Sequence, residues 1–90
     1  MQLVSLVNMS VNESGYIRKI DDMQLPQKSR NSTLEMETRL LEMGFIEGAK
    51  IKVMHKGLWR NPIAVRINNS NSKIVLRKNE ALAILLEKIG

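Results

Sequence analysis

The chain has 90 residues, no cysteine and a formal net charge of +5. This length predicts one domain over residues 1–90 with a thin core, which leaves little room for a substrate cavity and disfavours an enzyme. The lack of cysteine excludes disulfides and thiolate metal sites and suits a reducing cytoplasm, and no apolar run approaches the ~18 residues of a membrane-spanning helix.

The first third of the sequence predicts two short strands and a polar loop. Apolar residues in Gln2–Leu6 and Tyr16–Ile20 favour strands, and Glu13-Ser14-Gly15 between them is typical of a turn. Ile20 follows Ile17 by three positions, which interrupts the alternation of a strand. Residues 21–32 are polar and predict a mobile surface loop.

A helix is predicted at about residues 33–43. Ser32 and Glu35 have the spacing of a capping box, and Gly44 lies where a helix commonly ends in a left-handed conformation. Phe45 is placed to pack back onto the last turn. The apolar residues at helical spacing, which we expect on one stripe, are Leu34, Met36, Leu40, Leu41 and Met43.

The second half of the chain predicts further strands. Residues 49–56 alternate, so Ile51, Val53 and His55 are expected on one side, and the lysines of this strand on the other. A loop at 57–61 follows, and Pro62 opens the next strand, where a missing N–H is tolerated. Ile63, Val65 and Ile67 are expected to face inward in that strand.

The last residues complete a mainly β domain. Residues 68–72 predict a hairpin loop, residues 74–76 a strand, and residues 84–86 a last apolar strand. Asn79 is expected to cap a short helical turn at about 79–83. About five short strands and one good helix favour a small barrel or sandwich.

Four segments, in this order, resemble the FeoA family of ferrous-iron transport proteins: Arg39–Phe45, Gly48, Asn61–Val65 and Leu76–Ala81. The family pattern has an arginine- and leucine-bearing helix that ends in Gly-Phe, a glycine turn, an Asp-Pro-Ile strand start and a Leu-Arg-Lys segment. The resemblance covers roughly residues 1–89. Asn61 stands where the family usually has aspartate, and Glu47 stands where it often has proline.

The resemblance implies an SH3-like β-barrel with one inserted helix. It also implies a cytoplasmic protein that supports a FeoB-type ferrous-iron transporter, which has a cytoplasmic GTP-binding part. We expect no cofactor. The chain would then be peripheral to the membrane through that partner, and similar domains occur in metal-dependent repressors.

The candidate partner-binding residues are Arg39, Leu58, Trp59 and Arg60. Arginine offers a rigid fork of donors to a partner, but Arg39 also has the spacing for an ion pair within its helix. A loop tryptophan beside arginine has the composition of an interface hot spot; the alternative is an indole that covers the end of the barrel. Gly44, Gly48 and Pro62 are interpreted first as structural turn residues.

Metal binding and catalysis have weak support in the sequence. His55 is the only histidine, so convergent nitrogen ligands are lacking, and we predict no metal site. We also predict no catalytic residue, because neither a nucleophile motif nor a phosphate-binding loop is present.

The main alternative function is nucleic-acid binding by the second half of the chain. Residues 1–48 carry a net charge of −2, and residues 49–90 carry +7. Single-strand binders usually need stacking aromatics, and the chain has three aromatic residues of the Phe, Trp and Tyr type, so we expect no nucleic-acid partner. The basic residues that could form such a stripe are Lys50, Lys52, Lys56, Arg66, Lys73, Arg77 and Lys78.

Overall fold

The computed structural model of the chain describes residues 2–21 and 30–89, with the backbone alone for residues 30–34. Within these residues, two short 3-10 helices, at Leu6–Asn8 and Leu58–Arg60, lie outside the regular elements. The strands are β1 (Leu3–Ser5), β2 (Ser14–Ile20), β3 (Lys50–Lys56), β4 (Ile63–Ile67), β5 (Lys73–Leu76) and β6 (Ile84–Lys88), and the helices are α1 (Arg30–Glu42) and α2 (Lys78–Ala83).

The strands form one antiparallel sheet in the order β1-β6-β2-β3-β4-β5. The prediction of a mainly β domain is confirmed, with six strands in the described residues rather than about five. Strands that are neighbours in sequence pair from β2 through β5. Short turns, which favour antiparallel pairing, join β3 to β4 and β4 to β5, whereas α1 lies between β2 and β3. β6 returns between β1 and β2 and ties the two ends of the chain together.

α1 begins earlier than predicted. The predicted C-terminal end of the polar loop, at about residue 32, is therefore wrong. Arg30 starts the helix and places Ser32 within the first turn rather than at the cap. The rest of that loop, residues 22–29, lies outside the described residues. The helix ends at Glu42, close to the predicted boundary.

The apolar stripe of α1 faces the core only in part. Leu40 is fully buried, and Met36 and Met43 pack against the core, but Leu41 is half exposed, contrary to expectation. The side chain of Leu34 is outside the described residues. After the helix, the N–H of Phe45 donates to the carbonyl of Leu40 at 3.0 Å, which directs the buried phenyl ring into the core.

Two β-bulges explain where the strand patterns depart from alternation. On β3, Val53 pairs with Val65 and His55 pairs with Ala64, so the intervening residue has no partner in the register. This shift turns His55 outward, and the prediction that it shares a side with Ile51 and Val53 is wrong.

The second bulge lies on β2, between Ile17 and Lys19, where the strand pairs with β6. It accounts for the three-residue interval between Ile17 and Ile20, both of which pack in or against the core. An extra residue in one strand shifts the face on which the following side chains lie. Arg18 is that extra residue and remains at the surface.

Gly15 is a strand residue, not part of a turn as predicted. It lies in β2, and a Cβ at this position would lie 2.9 Å from the carbonyl oxygen of Glu87. The glycine therefore permits close contact with β6. The turn comes earlier, around Asn12, which has φ of 75°.

β4 and the hairpin that follows agree with the sequence patterns. Ile63, Val65 and Ile67 are buried, and the turn residues Asn68 and Asn69 both have positive φ. Asparagine adopts this conformation more readily than most residues. The helical turn begins one residue earlier than predicted: Asn79 lies inside α2 and is not its cap.

Candidate partner-binding surface

The β3–β4 loop, residues 57–61, presents two large apolar side chains to solvent. Leu58 and Trp59 are each 81% exposed. This exposure excludes the alternative in which the indole covers the end of the barrel. Trp59 has φ of 59° and ψ of 30°, and Arg60 has φ of 62°, so the backbone is left-handed at both residues. Such a conformation is uncommon for a bulky side chain.

Hydrogen bonds within the β3–β4 loop fix its shape. The N–H of Gly57 donates to the carbonyl of Pro62 at 2.7 Å, and the N–H of Arg60 donates to the carbonyl of Gly57 at 3.0 Å. A Cβ on Gly57 would lie 2.6 Å from the carbonyl oxygen of Asn61, so the loop closes tightly on this glycine. Leu58 and Trp59 thus project from a closed turn.

Contacts with two other segments hold the β3–β4 loop in place. The Arg60 guanidinium donates to the side-chain oxygen of Asn8 at 3.1 Å, and the N–H of Lys78 donates to the side-chain oxygen of Asn61 at 3.2 Å. Arg60, which was predicted to bind a partner, therefore also anchors the loop to the N-terminal 3-10 helix. Asn61 reaches the first residue of α2.

Lys56, at the end of β3, joins the same region to the N-terminal segment. Its ammonium group donates to the carbonyls of Val7 at 2.9 Å and Met9 at 2.7 Å. Burial, and then the nearby positive charge of Arg60, lower the pKa of Lys56 below its ordinary value. Lys56 was expected in a basic stripe, whereas in the structure it holds the N-terminal segment.

Arg39 pairs across elements rather than within α1. Its guanidinium donates to the carboxylate of Glu80 on α2. The ion pair within the helix, with Glu35 or Glu42, that the spacing allowed is not the one that forms. The side chain of Arg39 remains 59% exposed, whereas that of Glu80 is 8% exposed. The second carboxylate oxygen of Glu80 accepts the N–H of Arg77 at 2.9 Å.

The exposed side of Arg39 lies in a shallow depression of about 300 Å³ along one face of α1, lined by Glu35, Thr38, Arg39 and Glu42. α2 links this depression to the β3–β4 loop, because Lys78 contacts Asn61 while Glu80 contacts Arg39. Arg39 thus contacts α2 through Glu80, and the loop that carries Leu58, Trp59 and Arg60 contacts α2 through Asn61. Glu80, which sequence reasoning did not single out as a site residue, is central to that arrangement.

Two kinds of site are lacking in the described parts of the chain. No group of three or more histidine, aspartate or glutamate side chains is arranged to hold a metal ion in residues 2–21 and 30–89. Over the same residues, neither helix has the length and apolarity needed to cross a membrane.

A model of the FeoA domain family matches residues 4–88. The chain belongs to the FeoA family. This family is implicated in ferrous-iron transport. The resemblance carried by the ordered motifs is thereby confirmed. No curated protein matches the chain.

Solved FeoA structures share the fold of the chain. An iron uptake regulatory protein of FeoA type has a TM-score of 0.73 at 20% identity, covering 99% of this chain and 100% of that protein. A FeoA-like protein from Clostridium acetobutylicum has a TM-score of 0.73 at 23% identity, covering 97% and 87%. FeoA from Stenotrophomonas maltophilia, an SH3 domain protein solved with zinc, has a TM-score of 0.72 at 20% identity, covering 93% and 89%. The predicted SH3-like fold is confirmed.

The same fold occurs in a larger protein of another kind. A manganese-dependent transcriptional repressor has a TM-score of 0.76 at 15% identity, covering 97% of this chain but 42% of the repressor. The FeoA-like chain therefore spans less than half the repressor's length. At this identity the likeness concerns the fold alone.

Proposed function

We propose that this FeoA-family chain is a non-catalytic accessory protein of ferrous-iron uptake. It binds the cytoplasmic part of a FeoB-type transporter and modulates the transporter's activity or assembly. It is cytoplasmic, needs no cofactor and is peripheral to the membrane through its partner. Ferrous iron is the cargo of the transporter, and GTP hydrolysis belongs to the transporter.

The observation that carries this proposal is the exposure of Leu58 and Trp59 on a tightly closed loop. Removal of large apolar side chains from water by a bound partner lowers the free energy of the complex. Because the β3–β4 loop is held by hydrogen bonds to its own backbone and to Asn8, little conformational entropy is lost on binding. Tryptophan and arginine are enriched among the residues that dominate interface energetics, which favours Trp59 and Arg60 as contacts.

Arg39 contributes a second contact in this proposal. A guanidinium has five N–H donors, and the bond to Glu80 leaves others free on a side chain that is 59% exposed. Glu80 orients the group, so that it meets a partner in one geometry. A carboxylate or carbonyl of the transporter is the acceptor that such a fork fits.

Fluorine NMR at Trp59 tests the proposal directly. Trp59 is the only tryptophan, so labelling with 5-fluorotryptophan gives one resonance. Titration with the purified, unlabelled GTP-binding part of the transporter is expected to shift or broaden it as the indole leaves water. An unchanged resonance at saturating transporter concentration, together with no binding by calorimetry, would refute the proposal.

Leu58→Ala and Leu41→Ala form a matched pair of variants for the same titration. Both remove an exposed leucine, from the β3–β4 loop and from α1 respectively. We expect Leu58→Ala to weaken transporter binding about tenfold, as for a central interface residue, and Leu41→Ala to change it less than about twofold. Equal effects of the two variants would show that the interface is not centred on the β3–β4 loop.

A further inference from the structure

Three positive side chains lie side by side across β3, β4 and β5. Lys52 is opposite Arg66 in the register, and Arg66 is opposite Lys73. Opposed residues of antiparallel strands project from the same face of the sheet. With strands about 5 Å apart, the three residues form a row about 10 Å long. We call Lys52, Arg66 and Lys73 the cation row.

The cation row has no counter-charge among residues 2–21 and 30–89. The ion pairs of that part of the chain involve other basic residues: Arg18 with Glu87, Lys19 with Asp21, Arg39 with Glu80, and Lys88 with Glu13. Like charges directly opposite each other destabilise a sheet. Two such juxtapositions in one row are unfavourable for folding, and this favours a role in binding.

Arg66, at the centre of the cation row, has an unsatisfied donor. Its Nε–H is buried and has no hydrogen-bond acceptor. A buried donor without a partner is destabilising, and such groups are uncommon in folded proteins. A glutamate side chain on a strand added beyond β5, reaching inward past Lys73, would give this N–H the acceptor it lacks. Carboxylates accept two parallel hydrogen bonds from a guanidinium, so the fit is geometric as well as electrostatic.

The cation row ends at an open edge of the sheet. β5 is the last strand in the order, and within the described residues no strand pairs with its other side. Val75 lies two positions beyond Lys73 in β5, on the same face, and is 62% exposed. An edge strand offers unpaired backbone N–H and carbonyl groups to an incoming strand.

We propose that β5 binds an extended acidic segment of a protein partner by strand addition. An acidic residue of that segment would lie opposite Lys73 and place a negative charge at the end of the cation row. An apolar residue two positions along would lie opposite Val75. The segment therefore alternates, with acidic and apolar side chains on the face it shares with the cation row. Binding at β5 does not involve the β3–β4 loop and does not require that the partner be the iron transporter.

Other occupants fit the surface less well. A second copy of β5 would bring Lys73 and no acidic residue of its own, so self-pairing adds to the repulsion. Single-stranded nucleic acid needs free aromatic faces, and Tyr16, on the same sheet, has the guanidinium of Arg18 over its ring at 5.9 Å. Surfaces that bind anionic bilayers usually have clusters of roughly four to eight basic residues, and the cation row has three.

A labelled peptide in which two glutamates flank a valine at alternating positions is the probe. Its binding to the full chain is measured by fluorescence anisotropy at low ionic strength. A glutamine version of the peptide removes the charge, and a version with N-methylated backbone amides removes strand addition while keeping the charge. We expect about tenfold weaker binding for each control peptide.

Protein variants then test the cation row itself. Arg66→Gln is expected to weaken peptide binding about tenfold and Lys73→Gln about threefold. Lys78→Gln removes another exposed lysine, outside the row, and should change binding by less than about twofold. Thermal unfolding controls for folding: Lys73→Gln should keep or raise the midpoint, because repulsion is relieved while binding is lost.

Four outcomes would overturn the proposal. No binding of the glutamate peptide at millimolar concentration removes it, and equal binding of the N-methylated peptide shows that strand addition is not involved. If single-stranded DNA or phosphatidylserine vesicles bind more tightly than the glutamate peptide, and Arg66→Gln abolishes that binding, the row has a different partner. A β5-mediated dimer that the peptide does not dissociate assigns the edge to a second copy.

Discussion

The guanidinium of Arg39 donates to the carboxylate of Glu80 across 41 positions of sequence and joins α1 to α2. Because the Glu80 side chain is nearly buried, Arg39 supplies the positive charge that compensates its carboxylate. The pair therefore serves the fold as well as the proposed interface. Any test of Arg39 as a transporter contact has to separate the two roles.

Removal of one member of the pair should destabilise the chain. We expect Arg39→Ala to lower the free energy of unfolding by about 2 kcal/mol, because it leaves the Glu80 carboxylate buried without its cation. Arg39→Lys, which retains the charge, should lose less. Urea unfolding of Arg39→Ala, Glu80→Ala and the double variant gives the coupling of the two side chains. Additive losses would show that the pair contributes nothing beyond its separate members.

Trp59 should behave in the opposite way, with little effect on stability. Trp59→Asn removes an exposed indole from a left-handed position that asparagine tolerates better. We expect the free energy of unfolding to stay the same or rise by up to about 1 kcal/mol, while transporter binding falls. The same two measurements on Leu41→Ala serve as the control. A loss of stability in Trp59→Asn would show that the indole has a packing role.

The sequence predicted the mainly β fold, the position of α1 and the inward face of β4, because each depends on local patterns of apolar residues. The family resemblance then supplied the SH3-like architecture. His55 was misplaced because the bulge on β3 depends on pairing with β4, which no single strand encodes. For the same reason, Gly15 looked like a turn residue although it contacts β6.

The candidate site was predictable only in part. A loop tryptophan beside arginine left two alternatives open, an exposed interface residue or an indole over the end of the barrel, and the structure shows that Trp59 is exposed. The partner of Arg39 was not predictable, since Glu80 is distant in sequence and two nearer glutamates had suitable helical spacing. The cation row also required the strand register, because Lys52, Arg66 and Lys73 are far apart in the chain.

Gly15 and Gly48 should respond to alanine for different reasons. A Cβ at Gly15 meets the backbone of Glu87, which cannot move aside easily, so Gly15→Ala should destabilise the chain by about 2–3 kcal/mol. A Cβ at Gly48 meets nothing within 4 Å, but φ there is 90°, so Gly48→Ala should lower stability by only about 1 kcal/mol. Urea unfolding measures both. Equal losses would contradict the steric explanation for Gly15.

The carboxylate of Glu13 links β2 to the end of β6. Its pKa lies below the ordinary glutamate value of 4.5, because Lys88 donates a hydrogen bond to it and the N–H of Ser10 donates another at 2.7 Å. Since folding lowers this pKa, the stabilisation is complete above the unfolded-state value and is lost as the pH falls through the folded-state value.

A carbon-detected NMR titration of Glu13 checks this pH dependence. We expect its midpoint below 4.5 in the unmodified chain and closer to 4.5 in Lys88→Gln, because Lys88 is the largest cause of the shift. Lys78→Gln removes the same charge from α2 and should leave the midpoint where it was. If Lys88→Gln and Lys78→Gln gave the same midpoint, the shift would come from overall charge and not from the contact between Glu13 and Lys88.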